Sequence, residues 1–119
     1  MKKRDFKLFF HDILDSLNKI FKYTQNMSYE DFIDDDKTID AIIRNIEIMG
    51  EAVKYLPADV RDEFPEIPFK KIAGMRDKII HGYFGINYDD VWATIQSDLP
   101  KLKPQIETAL KLLEKIDNE

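Results

Sequence analysis

Apolar residues recur every three or four positions along almost the whole chain, and strict alternation is nearly absent. That spacing puts one stripe of side chains on one side of a helix, so the chain is constrained to helices packed on helices. Phe6, Phe9, Phe10, Ile13, Leu17, Ile20 and Phe21 form the first stripe and predict a helix over about 5–26. Ser28, with Asp31 three positions later, reads as the cap of a short turn. A second long helix is predicted over about 37–56, with Ile39, Ile42, Ile43, Ile46, Met49 and Val53 as its core positions.

Gly50 lies in the same arc of that second helix. Glycine inside a helix is unfavourable by about 1 kcal/mol, and the simplest reason to keep it is another helix backbone crossing closely there. A weaker stripe of Ala41, Ile48, Ala52 and Tyr55 lies on the opposite side, so this helix should have two neighbours, one of which can belong to another chain. Leu56-Pro57 ends the helix, and Pro57 to Phe64 can form a connecting turn. Pro65 and Pro68 bracket a piece expected to be extended. A third helix should run over about 69–81 and stop at Gly82. Asn87, with Asp90 three positions on, looks like a helix start, and apolar spacing from Val91 to Ile116 continues from it. Pro100 and Pro104 are expected to kink or divide that last segment. No linker or repeat interrupts the pattern, so residues 1–119 read as one all-α domain, an antiparallel bundle of four or five helices.

Composition narrows the function classes. The chain has no cysteine, which excludes disulfides and thiolate metal sites and makes a reducing cytoplasm its expected location. No apolar run approaches a membrane span, and the start Met1-Lys2-Lys3-Arg4-Asp5-Phe6 shows no secretory cleavage pattern. The two histidines, His11 and His81, are separated and have no clustered ligand spacing, which argues against zinc. His11 itself reads as a satisfied, half-buried side chain. Net charge is −5, so a broadly basic nucleic-acid binder is excluded, although a local basic site is not. The excess is concentrated in residues 30–36, which carry five of the 23 acids; the remaining 18 balance the 18 bases. This run reads as a solvated loop, with steering of a basic partner as the functional alternative.

The third helix holds the sharpest anomaly. On a helical wheel Arg76 falls inside the apolar arc, between Ile79 and Ile80. A guanidinium does not lose its proton, so burying it requires carboxylate, phosphate or carbonyl partners. Two readings stand side by side: an ion pair to Glu47 or Glu51 on the second helix, or an anion site at the floor of a cleft. His81 lies five positions on, about 140° around a continuous helix. It meets Arg76 at one substrate only if the helix unwinds at Gly82 or if the two act across a symmetric dimer. Otherwise it is a cap near the last carbonyls. Tyr83 reads as a half-buried aromatic with a wet hydroxyl.

Arg76-Asp77, three residues, then His81-Gly82-Tyr83 resembles the signature of HEPN-domain ribonucleases. Within that superfamily it is similar to the HepT group, the toxin half of HepT–MntA toxin–antitoxin pairs, whose motif adds a tyrosine two positions after the histidine. Asn45-Ile46-Glu47-Ile48-Met49-Gly50-Glu51-Ala52 resembles the group's second-helix block, and the run Ile67 to Asp77 and Tyr88-Asp89-Asp90-Val91-Trp92 follow in the expected order. Phe69 stands where these proteins often carry tryptophan. The resemblance covers essentially the whole chain. It implies a homodimeric helical domain with a composite cleft at the dimer interface that cleaves RNA, tRNA among the candidates, without metal or other cofactor. It also implies a partner, an MntA-like nucleotidyltransferase antitoxin that silences the toxin by transferring AMP to a tyrosine, in the manner of a type VII-like pair; by position that residue is Tyr83.

The chemistry is coherent. Metal-free cleavage needs a base for the 2′-hydroxyl, an acid for the leaving 5′ oxygen and positive charge on the phosphorane. Two copies of His81 suit the first two roles, and Arg76 supplies bidentate hydrogen bonds for the third. Asp77 either orients Arg76 or His81 or is a solvated polar residue, the reading the sequence favours. Lys70, Lys71, Arg76 and Lys78 against Asp77 leave residues 70–78 at +3, so Lys70, Lys71 and Lys78 are candidates for RNA attraction, or form an ordinary charged face. AMP on Tyr83 would place bulk and negative charge beside Arg76. The chain has no phosphate-cradling glycine loop of its own. The rival functions are a non-catalytic helical module that binds nucleotide or the nucleotidyltransferase, and a structural bundle in which Arg76 is only an ion pair.

Overall fold

In a computed structural model, which describes residues 3–80 and 85–117, α1 spans Lys3–Tyr23. It ends three residues before the sequence predicts. The Thr24 hydroxyl donates to the Ile20 carbonyl at 2.8 Å, and Asn26 then takes a left-handed conformation with φ 63°. Asparagine tolerates that conformation, which turns the chain out of the helix.

The acidic run is built into two helix starts, which corrects its reading as a plain solvated loop. Ser28 caps α2 (Tyr29–Ile33) in a reciprocal capping box with Asp31. Asp35 then caps α3 (Asp36–Lys54), accepting from the Thr38 backbone N–H at 3.0 Å and from its hydroxyl at 2.8 Å. Carboxylates in these positions satisfy orphan N–H groups and oppose the positive end of the helix dipole. Thr38 holds the Asp35 carboxyl below the usual carboxylate range.

At the other end of α3, Arg61 on α4 (Ala58–Asp62) donates to the carbonyls of Val53 and Leu56 at 2.8 and 2.9 Å, closing α3 with a cation. The segment bracketed by Pro65 and Pro68 is a turn rather than an extended piece: the Ile67 N–H donates to the Phe64 carbonyl at 3.1 Å. Proline at the second position of a turn is pre-set for that geometry. Next come α5 (Phe69–Ile80) and α6 (Tyr88–Ala93), the latter capped by Asn87 accepting from the Asp90 N–H.

After α6 the chain runs through a π-helical turn, Thr94–Asp98, directly into α7 (Leu99–Asp117). Of the two prolines expected to kink or divide this arm, only Pro100 adjoins an irregularity. Pro104 lies within α7, and the widened turn falls just before Pro100. There the Leu99 N–H reaches back five residues to Thr94, relieving the clash that a proline ring makes with the carbonyl four positions earlier.

α3 is the central element, packed against α1 on one flank and α5 on another, and α1 also packs against α7. Phe9 near the start of α1 stacks on Tyr55 at the end of α3, with centroids 5.5 Å apart. His11 lies 4.0 Å from Glu114 while Phe21 sits beside Lys103, so α1 runs antiparallel to both α3 and α7. The two apolar stripes of α3 thus have neighbours within this chain, and Ala52 of the weaker stripe is buried. Phe10, Ile13, Leu17, Ile42, Met49 and Ile106 are among the fully buried side chains, each stabilising the core by roughly 1.5–3 kcal/mol. The architecture is an all-α bundle, and the described residues contain no strand. No described helix is long and apolar enough to cross a membrane.

Candidate functional site

α5 presents Arg76 to α3. The core positions Ile72, Met75 and Ile79 set the rotation of α5, and Arg76 follows them onto the side that meets Gly50. A Cβ built on Gly50 would lie 2.2 Å from the Arg76 Cβ and 2.7 Å from its Cγ, so position 50 has no room for any side chain. The close approach predicted from Gly50 is therefore present: α5 packs on α3, and the atoms nearest position 50 are those of the Arg76 stem. The missing side chain on α3 is the groove in which Arg76 lies.

The arginine side chain is only 19% exposed. Its Nη2 lies 3.6 Å from Glu51 Oε1, and its Nη1 donates to Asp77 Oδ1 at 3.3 Å. Nε is buried with no hydrogen-bond partner among the described residues. Of the two carboxylates the sequence offers, Glu51 is the partner, while Glu47 lies 3.8 Å from Arg44. The Glu51 contact is longer than a good hydrogen bond, so it neutralises charge without gripping the nitrogen.

Asp77 is held from both helices. Lys54 Nζ, in the last turn of α3, donates to Asp77 Oδ1 at 2.6 Å, and the same oxygen accepts from Arg76. Lys54 foremost, and Arg76 after it, hold the Asp77 carboxyl below the usual carboxylate range against the opposing effect of partial desolvation. Asp77 is half exposed, yet its carboxylate is paired: it accepts from Lys54 and from Arg76. Lys54 was not legible as part of the site, although a signal existed. It follows Gly50 by four positions and so lies about 40° from it on the same helix face.

The three lysines do not form one patch. Lys71 and Lys78 line a cleft between α5 and the α6–π segment, whereas Lys70 borders a separate depression beside α4. Lys71 is paired with Asp98 at 3.1 Å, which ties α5 to the π turn. The +3 counted along residues 70–78 is thus partly neutralised by partners from other elements. The cleft has Ile46, Met75, Ile79 and Val91 in its apolar lining, and a Cβ added to Gly74 there would meet nothing within 4 Å. No three His, Asp or Glu residues cluster as metal ligands among the described residues. His81 and Tyr83, and the predicted stop at Gly82, lie outside the described residues.

The profile of the family described as ribonuclease HepT-like matches residues 13–109, most of the chain and all of the Gly50–Arg76 site. This chain belongs to the HepT-like ribonuclease family. "Putative RNase MJ1216" of Methanocaldococcus jannaschii is 46% identical over 114 residues, covering 96% of this chain and 94% of the relative. "Probable ribonuclease HepT" of Thermococcus cleftensis is 42% identical over 109 residues, covering 92% of this chain and 99% of the relative. Coverage of this extent carries the HepT-like assignment across the whole helical domain. No solved structure matches the chain at a significant level.

Proposed function

We propose that this HepT-like chain is a metal-independent endoribonuclease, the toxin of a toxin–antitoxin pair, with Arg76 and His81 as its catalytic residues. The observation that carries the reading is Arg76 itself. It is a largely buried guanidinium, its stem seated on a glycine and its fork facing two carboxylates, on the helix that leads into His81. Such preorganised charge is what a phosphorane needs, and Arg76 can exchange its long Glu51 contact for a phosphate oxygen while Asp77 keeps the other side of the fork in place. Imidazole titrates close to neutrality and suits both proton transfers, with one His81 from each subunit of a homodimer taking one step. The relatives' ribonuclease names support the same reading.

Regulation follows from the same chemistry. A nucleotidyltransferase partner transferring AMP to the Tyr83 hydroxyl would set a phosphate ester beside Arg76, where it competes with RNA. Incubating wild type and folded, dimeric His81→Ala with total RNA in chelator tests the nuclease: cleavage by wild type alone is the expected result. Equal residual cleavage by both preparations would leave a non-catalytic module, with Arg76 as an anion ligand. ATP plus the partner should add AMP mass to wild type and none to Tyr83→Phe.

A further inference from the structure

We propose that Lys54 is a positioning residue for Arg76, acting through Asp77. The inference rests on the nuclease reading for its kinetic consequence, but its geometry stands alone. Adjacent residues on a helix point about 100° apart, so Asp77 has no intrinsic reason to turn back toward the guanidinium beside it. Lys54 supplies the reason. From the end of α3 its ammonium draws the Asp77 carboxylate to the α3 side of α5, to a 2.6 Å contact, and the shared Oδ1 then accepts from Arg76 Nη1. Gly50, Glu51 and Lys54 thus act from one turn of α3: the first seats the stem, the second faces Nη2, and the third sets the acceptor for Nη1.

The pair is poorly placed to be a structural fastener. Lys54 and Asp77 side chains are 44% and 46% exposed, and exposed ion pairs contribute little to stability. α3 and α5 are joined instead by apolar packing, with Ile46, Met49 and Ile72 fully or nearly fully buried. What the pair controls is the direction of a carboxylate, and through it the plane of the guanidinium.

The test compares wild type, Lys54→Met, Lys54→Arg, Asp77→Asn and the double variant Lys54→Met/Asp77→Asn. Each is assayed on a labelled RNA oligonucleotide taken from a wild-type cleavage site in total RNA. Lys54→Met is expected to lower kcat about tenfold with KM little changed, as a misdirected group does. Lys54→Arg should recover most of that loss. The double variant should be no slower than Asp77→Asn, because both changes break one chain of contacts. A Lys54→Met enzyme with wild-type kcat, or losses that multiply in the double variant, would overturn the proposal. A second readout needs no turnover: the Arg76 Nε–H resonance, assigned by its disappearance in Arg76→Lys. It should lose order in Lys54→Met and keep it in Lys54→Arg. If wild type fails to cleave RNA, the nuclease reading falls, and this resonance alone decides; unchanged order in Lys54→Met then sinks the positioning role.

Discussion

The side-chain stem of Arg76 rests on Gly50, so closely that a methyl group at position 50 would overlap its Cβ. Helix propensity alone favours Gly50→Ala by about 1 kcal/mol. Overpacking against an immobile stem costs about 1–3 kcal/mol, so the net effect expected is destabilisation with Arg76 displaced. Gly74→Ala should do the opposite and stabilise by about 1 kcal/mol, since an added Cβ meets nothing. Urea denaturation of the two variants checks the opposite signs.

Replacing Arg76 with lysine keeps the charge and loses the planar fork that faces Glu51 and Asp77. RNA cleavage should fall about a hundredfold, the scale of removing one transition-state donor. The thermal midpoint measured alongside should change far less than the rate.

Asp77 predicts a pH dependence of stability. Its folded pKa is depressed, first by Lys54 and then by Arg76. The stabilisation is therefore present above the unfolded value and is lost as pH falls through the folded one. Because the pair is half exposed, the stability gap between wild type and Asp77→Asn should be small; it should be constant above about pH 5 and shrink below it. In a Lys54→Met background that pH-dependent gap should diminish. Urea titrations at a series of acidic pH values measure it.

Pro104 is exposed inside α7 and removes one helical hydrogen bond. Pro104→Ala should stabilise by about 1–3 kcal/mol, reduced by the freedom it returns to the unfolded chain. A thermal midpoint that falls would show that the arm depends on its proline.

Much of this was readable in one dimension. The stripes of α1 and α3, the Ser28–Asp31 box and the Asn87 start are all set by residues within a few positions of one another, where periodicity and capping act. The end of α1 was not readable to the residue, because Asn26 has to adopt a left-handed conformation before the helix visibly stops. The helical course from Tyr88 to Asp117 was readable from its spacing, but not that a single widened turn before Pro100 takes up the irregularity while Pro104 stays within α7. The three lysines looked like a patch only while the chain was read without Asp98, which the π turn delivers to Lys71.

By itself the sequence determined an all-helical chain, a glycine that must accept a close neighbour, and an arginine forced into an apolar arc. These follow from spacing along a single helix. Only the tertiary structure decided that this glycine and this arginine are each other's answer, that Glu51 rather than Glu47 faces the guanidinium, and that Lys54 holds Asp77. Those pairings depend on where α3 and α5 cross and how each is rotated about its axis. That is settled by the packing of their apolar faces, not by the order of residues in either helix.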